Sequence, residues 1–183
     1  IRWLDRAAGH PEILHVTINP NSTYEPFDSP IWLRLFSEIA ARRLPVFYNT
    51  PGQDTFRRSP DATIKGHLLK IRGAPADELA MFRRLDRELP ELPIVIGHGF
   101  GLDGLELAAS SRSIYLELCT TYPEQNVFRR AIEAIGAERV VFGTDLDLIS
   151  PAFVLGSVWE AAMTDEEERL VLRDNALRLL AAL

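Results

Sequence analysis

Short apolar runs alternate with amphipathic stretches along most of the chain. The runs are rich in Val and Ile, which is typical of strands that are buried on both faces. On this pattern we expect five strands, at residues 13–18, 44–49, 92–98, 113–118 and 139–145. Polar segments with helical periodicity separate them, so strand and helix are predicted to alternate.

The separating segments carry helical spacing and helix-end signals. In the last of them, Thr164 and Glu167 form the sequence pattern of a capping box. That helix is expected to break near Asp174-Asn175, because both residues favour caps. Helices are predicted at residues 31–43, 76–89, 102–110, 124–136 and 165–182.

This alternation predicts an α/β fold with a parallel sheet covered by helices. A closed eight-stranded barrel typically needs about 250 residues, whereas this chain has 183. We therefore expect either an open sheet or the C-terminal part of a TIM-type barrel. The length also predicts a single domain over residues 1–183.

The composition limits which binding partners and which cellular compartment are expected. The net charge of −6 argues against nucleic acid or an anionic membrane as partner, and no apolar run is long enough to span a bilayer. The single cysteine, Cys119, excludes an internal disulfide framework and a multi-cysteine zinc site. It is interpreted as a buried strand residue, with a nucleophile as the alternative. A cytoplasmic location is expected.

Polar side chains follow three of the predicted strands. They are Tyr48-Asn49, His98 and Asp145. In a parallel sheet these strand ends share one edge, so the side chains are expected to converge there. An imidazole and a carboxylate can hold a divalent cation, and the carboxylate can act as general base on water. The structural alternative is that both side chains satisfy loop amides and cap the next helix.

Other polar residues have less defined roles. His67 lies in a long connection, residues 50–75, where it could reach a substrate. Structural or surface roles are favoured for His10 and His15. Glu117 either points into the site or caps the sheet edge, and its position alone does not decide between them.

A glycine motif offers a competing function. Gly99, Gly101 and Gly104 match the G-x-G-x-x-G dinucleotide fingerprint after a strand, with Glu117 on the next strand. The motif lies in mid-chain and the predicted helix after it is short, which makes a nucleotide site the weaker hypothesis. It predicts that NAD or NADP raises the melting temperature.

The order of the motifs resembles the C-terminal portion of the amidohydrolase-related family, which comprises metal-dependent hydrolases and decarboxylases on a (β/α)₈ barrel. The resemblance rests on five segments: "LPVFYNTPG", "LPIVIGHGFG", "SIYLELCTTYP", "ERVVFGTDLDLISP" and "MTDEEERLVLRDNALRLL". It implies that the five strands correspond to about strands four to eight of that barrel.

The resemblance also implies site roles. Asp145 matches the family's strand-eight aspartate, a metal ligand and general base. His98 matches a strand-six histidine that binds metal or polarises substrate. Asn49 stands where the family has a histidine ligand, so it would be a weakened ligand or a substrate donor. Tyr48 and His67 would help to shape the substrate pocket. The implied metal is Zn, with Mn as the alternative.

The family's His-x-His pair is absent, and the chain begins at Ile1. These features favour a barrel that lacks its first strands, while Asn49 favours divergence of the metal site. The leading function is a metal-dependent hydrolase of a small organic molecule. The alternatives are a non-oxidative decarboxylase and a metal-free, non-catalytic scaffold. Since a partial barrel leaves strand edges unpaired, association with a second copy or with a missing N-terminal segment is expected.

Overall fold

The computed structural model describes residues 2–10, 12–19, 27, 29–49, 75–98, 105, 107–119, 126–146 and 150–181. Its five strands are β1 (Val16–Ile18), β2 (Val46–Asn49), β3 (Ile94–Gly97), β4 (Ile114–Glu117) and β5 (Val140–Val141). They form one sheet in the order β1-β2-β3-β4-β5, and every neighbouring pair is parallel. All five predicted strands are confirmed, each with narrower bounds than the apolar run suggested.

Helices precede, separate and follow the strands. They are α1 (Arg2–Ala8), α2 (Pro30–Ala40), α3 (Pro75–Glu88), α4 (Val127–Ile135), α5 (Pro151–Glu160), α6 (Asp165–Arg169) and α7 (Asn175–Ala181). A 3₁₀ turn, Ala137–Arg139, leads into β5, and a π-helical segment, Leu170–Asp174, joins α6 to α7. This arrangement of parallel strands in sequential order, with intervening helices, is that of part of a TIM-type barrel, as predicted.

The pleat of the sheet divides its residues into two faces. Val46 and Tyr48 of β2 are fully buried on the helix side, whereas Phe47 and Asn49 lie on the opposite face and are partly exposed. The parallel register continues this division across the sheet. One helix-side row contains Ile18, Tyr48, Ile96, Leu116 and Val140.

The principal core lies between that helix-side face and the helices. Phe27 packs against Tyr48 and Phe82, with ring centroids 5.2 and 5.7 Å away. Trp32 and Phe36 of α2 complete the aromatic cluster and are buried. The core therefore fixes the strands from outside and leaves their other face available for a site.

Helix ends follow local sequence chemistry. Ser29 accepts a hydrogen bond from the Ile31 amide at the start of α2, where Pro30 occupies the first turn. The predicted capping box is confirmed, since Thr164 accepts from the Glu167 amide and Glu167 accepts from the Thr164 amide. These contacts fix where each helix begins.

The predicted interruption near Asp174-Asn175 is present, but it is a π-helical segment that ends at Asp174 and not a break with capped helix ends. The chain passes through the π-helical segment and continues as α7. Asn175 is fully buried and does not cap a helix, because its amide nitrogen donates to the carbonyl oxygens of Ala137 and Val140, both at 2.7 Å. A tertiary contact thus overrides the local preference of Asn.

Among the described helices, none has the length and apolar character needed to cross a membrane.

Candidate active site

His98 and Asp145 both follow strands at the carboxyl edge of the sheet, after β3 and β5. Both adopt the left-handed backbone conformation, with φ of 55° and 50°. This conformation is unfavourable for residues other than glycine and is found disproportionately at functional sites. The two residues singled out by the sequence therefore share one edge and one unusual backbone geometry.

A cavity of about 550 Å³ opens on the face of the sheet opposite the main core. Its apolar wall comes from the inward residues of the strands and from α7. The wall includes Phe47, Val95, Val141, Ala176 and Leu179. Polar side chains lie at its strand-end rim: Asn49, His98, Glu117, Cys119, Thr144 and Asp145.

Three of the rim residues bring metal-binding atoms together. One donor atom each of His98, Cys119 and Asp145 lie within 4.8 Å of one another. The Cys119 Sγ is 3.2 Å from His98 Nδ1. Imidazole nitrogen, thiolate sulfur and carboxylate oxygen are all ligands of divalent transition metals. The residues present therefore fit the divalent cation that the family resemblance implies.

Glu117 holds the backbone around this group. Its side chain is buried, with 5% exposed. One carboxylate oxygen accepts from the His98 amide at 3.1 Å and from the Cys119 thiol at 3.1 Å. The other accepts from the Cys119 amide at 3.0 Å. Glu117 thus links the ends of β3 and β4, and it fixes the position of both His98 and Cys119.

Gly143 makes room for that carboxylate. A Cβ atom at this position would lie 1.7 Å from Glu117 Oε1. Such a contact is impossible without displacing Glu117, so the glycine between β5 and Asp145 is required by packing.

The electrostatic balance of the rim favours a cation. Burial, followed by the nearby Glu117 carboxylate, raises the pKa of the Cys119 thiol. The thiol is therefore protonated near neutral pH and donates to Glu117. None of the described residues lining the cavity is Lys or Arg, although Glu117 and Asp145 both face it. A bound cation would supply the missing positive charge and favour the thiolate.

The structure separates Asn49 from Tyr48. Asn49 lines the cavity, and its buried Oδ1 has no hydrogen-bond partner among the described residues. Tyr48 is buried on the helix side, with its ring 4.9 Å from that of Phe82. Consecutive strand residues point to opposite faces. Tyr48 therefore does not line the cavity, although the sequence predicted that it would help to shape the pocket.

The remaining predicted residues divide into two groups. His67 and the Gly99–Gly104 motif lie outside the described residues. His15, for which a structural or surface role was favoured, lines the cavity and packs against Phe47 with ring centroids 5.8 Å apart. Burial lowers the pKa of His15, which favours its neutral form.

The sequence alone left the role of Glu117 open and favoured a buried strand residue over a nucleophile for Cys119. A usable signal was present, because the run 113–118 ends at the same sheet edge as the runs that carry His98 and Asp145. Glu117 and Cys119 are two residues apart on an extended segment, so their side chains lie on the same face of the sheet.

The sequence model of the amidohydrolase family matches residues 1–181. The chain belongs to the amidohydrolase family. A search of the curated proteins finds no match to this chain.

Solved structures share its fold. The 5-carboxyvanillate decarboxylase from Sphingomonas paucimobilis is 19% identical with a TM-score of 0.72, and the match covers 98% of this chain and 62% of the decarboxylase chain. A dihydroxybenzoic acid decarboxylase from Polaromonas sp. JS666, with bound manganese and an inhibitor, is 15% identical with a TM-score of 0.68, covering 98% and 64%. A proposed 2-pyrone-4,6-dicarboxylic acid hydrolase from Pseudomonas putida is 18% identical with a TM-score of 0.62, covering 93% and 64%.

The chain thus spans less than two thirds of each of these three structures. At these identities the likeness establishes the fold, which is part of the family's barrel. Both decarboxylases and hydrolases are represented among the similar structures.

Proposed function

We propose that this chain provides the metal-binding edge of a metal-dependent hydrolase that acts on a small organic molecule. The observation that carries the proposal is the convergence of donor atoms from His98, Cys119 and Asp145 within 4.8 Å at the rim of the cavity. Family membership supports a divalent metal, and one similar structure contains manganese. We propose Zn as the metal, with Mn as the alternative.

A divalent cation bound here would supply Lewis acidity, polarising a carbonyl group and lowering the pKa of water. Asp145 would accept a proton from the attacking water and later return it to the leaving group. His98, held through its amide by Glu117, would help to bind the cation and orient the substrate carbonyl. Asn49 would bind the cation weakly or donate a hydrogen bond to the substrate from its side-chain amide.

The cavity supports a small and largely apolar substrate with a polar end. Phe47, Val95 and Val141 provide an apolar wall below the polar rim. A planar ring could pack on this wall while its carbonyl or carboxylate group reaches His98 and Asp145. None of the described residues that line the cavity is Lys or Arg, which argues against nucleic acid or a polyphosphate as the substrate.

Non-oxidative decarboxylation is the second candidate. The apolar wall suits an aromatic ring, and two of the similar structures are decarboxylases of ring-bearing carboxylic acids. In this reaction the bond between the ring and its carboxylate breaks, CO₂ leaves, and a proton is added to the ring carbon. In this second candidate, Asp145 would deliver that proton.

The test compares wild type with Asp145→Asn after each has been supplied with Zn or Mn. Hydrolysis of a panel of small esters, lactones and amides is measured alongside CO₂ release from hydroxybenzoates. We expect the substitution to reduce turnover by about 10²-fold or more, because it removes the proton acceptor. The melting temperature should change little, since Asp145 lies outside the apolar core.

Asp165→Asn is the matched control, because it removes an exposed carboxylate of α6. It should leave turnover unchanged. Unaltered turnover in Asp145→Asn would refute the role of Asp145. Wild-type protein that neither binds Zn or Mn nor turns over any substrate would support the non-catalytic scaffold instead.

A further inference from the structure

We propose that Cys119 is a third protein ligand of the metal, so that the site combines nitrogen, oxygen and sulfur donors and selects zinc over manganese and magnesium. This inference rests on the proposed function, because it requires a cation at His98 and Asp145. It assigns a role to the chain's one cysteine, which the sequence alone indicated to be a buried strand residue.

The position of the sulfur is the first argument. Cys119 is 3% exposed, yet its sulfur does not lie among aliphatic side chains alone. It contacts His98 Nδ1 at 3.2 Å and a Glu117 carboxylate oxygen at 3.1 Å. The sulfur also lies within 4.8 Å of a carboxylate oxygen of Asp145, so it stands among the nitrogen and oxygen donors that a metal ion would need.

Another polar group that lines the cavity provides a second, independent argument for a cation at the rim. The Oδ1 atom of Asn49 is buried on the same cavity and lacks a hydrogen-bond partner within the described part of the chain. A buried acceptor without a partner is costly. A cation or a ligand held at the rim would satisfy this oxygen.

Glu117 acts as a positioning residue in this arrangement. Its carboxylate holds the amides of His98 and Cys119, which lie on adjacent strands. The two donors are therefore fixed relative to each other before any ion binds. Preorganised ligands lose little conformational freedom on binding, which favours affinity.

The chemistry of the donor set determines the metal. Carboxylate and carbonyl oxygens suit Mg and Mn, whereas thiolate sulfur favours Zn and other thiophilic ions. A site with His98 and Asp145 alone would discriminate weakly. Addition of the Cys119 sulfur would raise affinity for zinc without a comparable gain for manganese.

Cobalt(II) tests the ligand directly, because a thiolate bound to cobalt gives a near-ultraviolet charge-transfer band. The full chain is stripped of metal with a chelator and titrated with Co(II), alongside Cys119→Ser and Asp165→Asn. We expect the band in wild type and in Asp165→Asn, which removes an exposed carboxylate of α6 that does not line the cavity. The band should be lost in Cys119→Ser, and no other cysteine can produce it.

Chelator competition measures the selectivity. Cys119→Ser should weaken zinc binding by at least the roughly 10–100-fold that loss of an outer metal-site partner costs. Manganese binding should change much less, so the preference for zinc should fall. The serine hydroxyl can retain the hydrogen bond to Glu117, which preserves the local fold.

X-ray absorption on zinc-loaded wild type keeps the test independent of how the variant folds. One sulfur neighbour at about 2.3 Å is expected. Metal binding to wild type without the sulfur signal would overturn the role of Cys119 and leave the proposed function standing. No binding of Zn, Co or Mn to wild type would overturn both.

Discussion

At the residue scale, the site depends on a carboxylate that is not itself expected to bind metal. Glu117 accepts hydrogen bonds from two amides and one thiol, and it thereby links His98 to Cys119. The space it occupies exists because residue 143 has no side chain. A substitution can therefore damage the site without altering any proposed ligand.

Gly143→Ala tests this dependence. Its Cβ would lie 1.7 Å from Glu117 Oε1, so the carboxylate must move and release its amide partners. We expect zinc affinity to fall at least about tenfold, and the free energy of unfolding to fall by about 1–3 kcal/mol. Competition with a chelator and urea denaturation measure the two quantities.

Gly156→Ala is the matched control. Gly156 lies in α5, and nothing approaches within 4 Å of the position of an added Cβ atom. This substitution should stabilise the protein by about 0.5–1 kcal/mol and leave zinc affinity unchanged. Equal zinc affinity in both variants would show that Glu117 does not organise the site.

Residue chemistry at strand ends could be predicted in part. His98 and Asp145 were predictable because each is an ionisable residue that lies within three residues of the end of an apolar run. Tyr48 and Asn49 could not be separated, because the direction of each side chain depends on the register of β2 in the sheet. Cys119 is apolar enough to be taken for core, and only its contacts with His98 and Glu117 reveal another role.

At the element scale, one guanidinium group joins three helices. Arg129 of α4 donates to the Ala161 carbonyl oxygen at the end of α5 and forms a two-pronged ion pair with Glu167 of α6. Glu167 also belongs to the capping box. The hydrogen bond from Arg129, with the Thr164 amide second, lowers the pKa of Glu167 to about 2.

This pKa predicts a dependence of stability on pH. The carboxyl group titrates near its ordinary value of 4.5 when unfolded and near 2 when folded. Its contribution is therefore complete above pH 4.5 and is lost as the pH falls towards 2. Because the pair is partly solvated, we expect Glu167→Gln to cost about 1 kcal/mol at pH 7 and to flatten the acid limb of the stability curve.

Glu166→Gln provides the comparison, since it removes a carboxylate from an exposed position of the same helical turn. Thermal unfolding of both variants from pH 7 to pH 2 measures the difference. The same acid limb in Glu167→Gln and wild type would contradict the assignment.

Element type was more predictable than element ends. Apolar periodicity identified the strands, but hydrogen-bonded pairing extends over only part of each run, as in β5. The capping box was predictable because it is entirely local. The π-helical form of the interruption before α7 was not, because Asn175 is held by carbonyl groups more than thirty residues away in the sequence.

At the scale of the whole molecule, α7 lies across the inward face of the sheet. Leu179 packs with Val95 and Val141, and Ala176 joins them. Asn175 anchors this helix to the start of β5 through two buried hydrogen bonds. The helix thereby forms one wall of the cavity.

Asn175→Ala tests the anchor. It removes both donors and leaves the carbonyl oxygens of Ala137 and Val140 without those partners, so we expect a loss of about 2–4 kcal/mol in the free energy of unfolding. Leu177→Ala, at an exposed position of the same helix, should cost about 0.5 kcal/mol or less. Urea denaturation of both variants measures this, and similar losses would contradict the anchoring role.

The fold could be predicted as part of a barrel because strand–helix alternation and chain length constrain it together. The order and direction of all five strands bear this out. Association through the outer edge of β1 remains a prediction. Within the described residues, that strand pairs with β2 alone, and Thr17 on its inward face is exposed.

The two-faced register also has a practical consequence for protein engineering. Thr17, Phe47, Val95 and Tyr115 form one continuous row on the inward side, while the flanking rows pack against helices. A combinatorial library restricted to this row would reshape the floor of the cavity and leave the aromatic packing intact. Variants with altered substrate selectivity could then be sought among those that fold and express as well as the wild type.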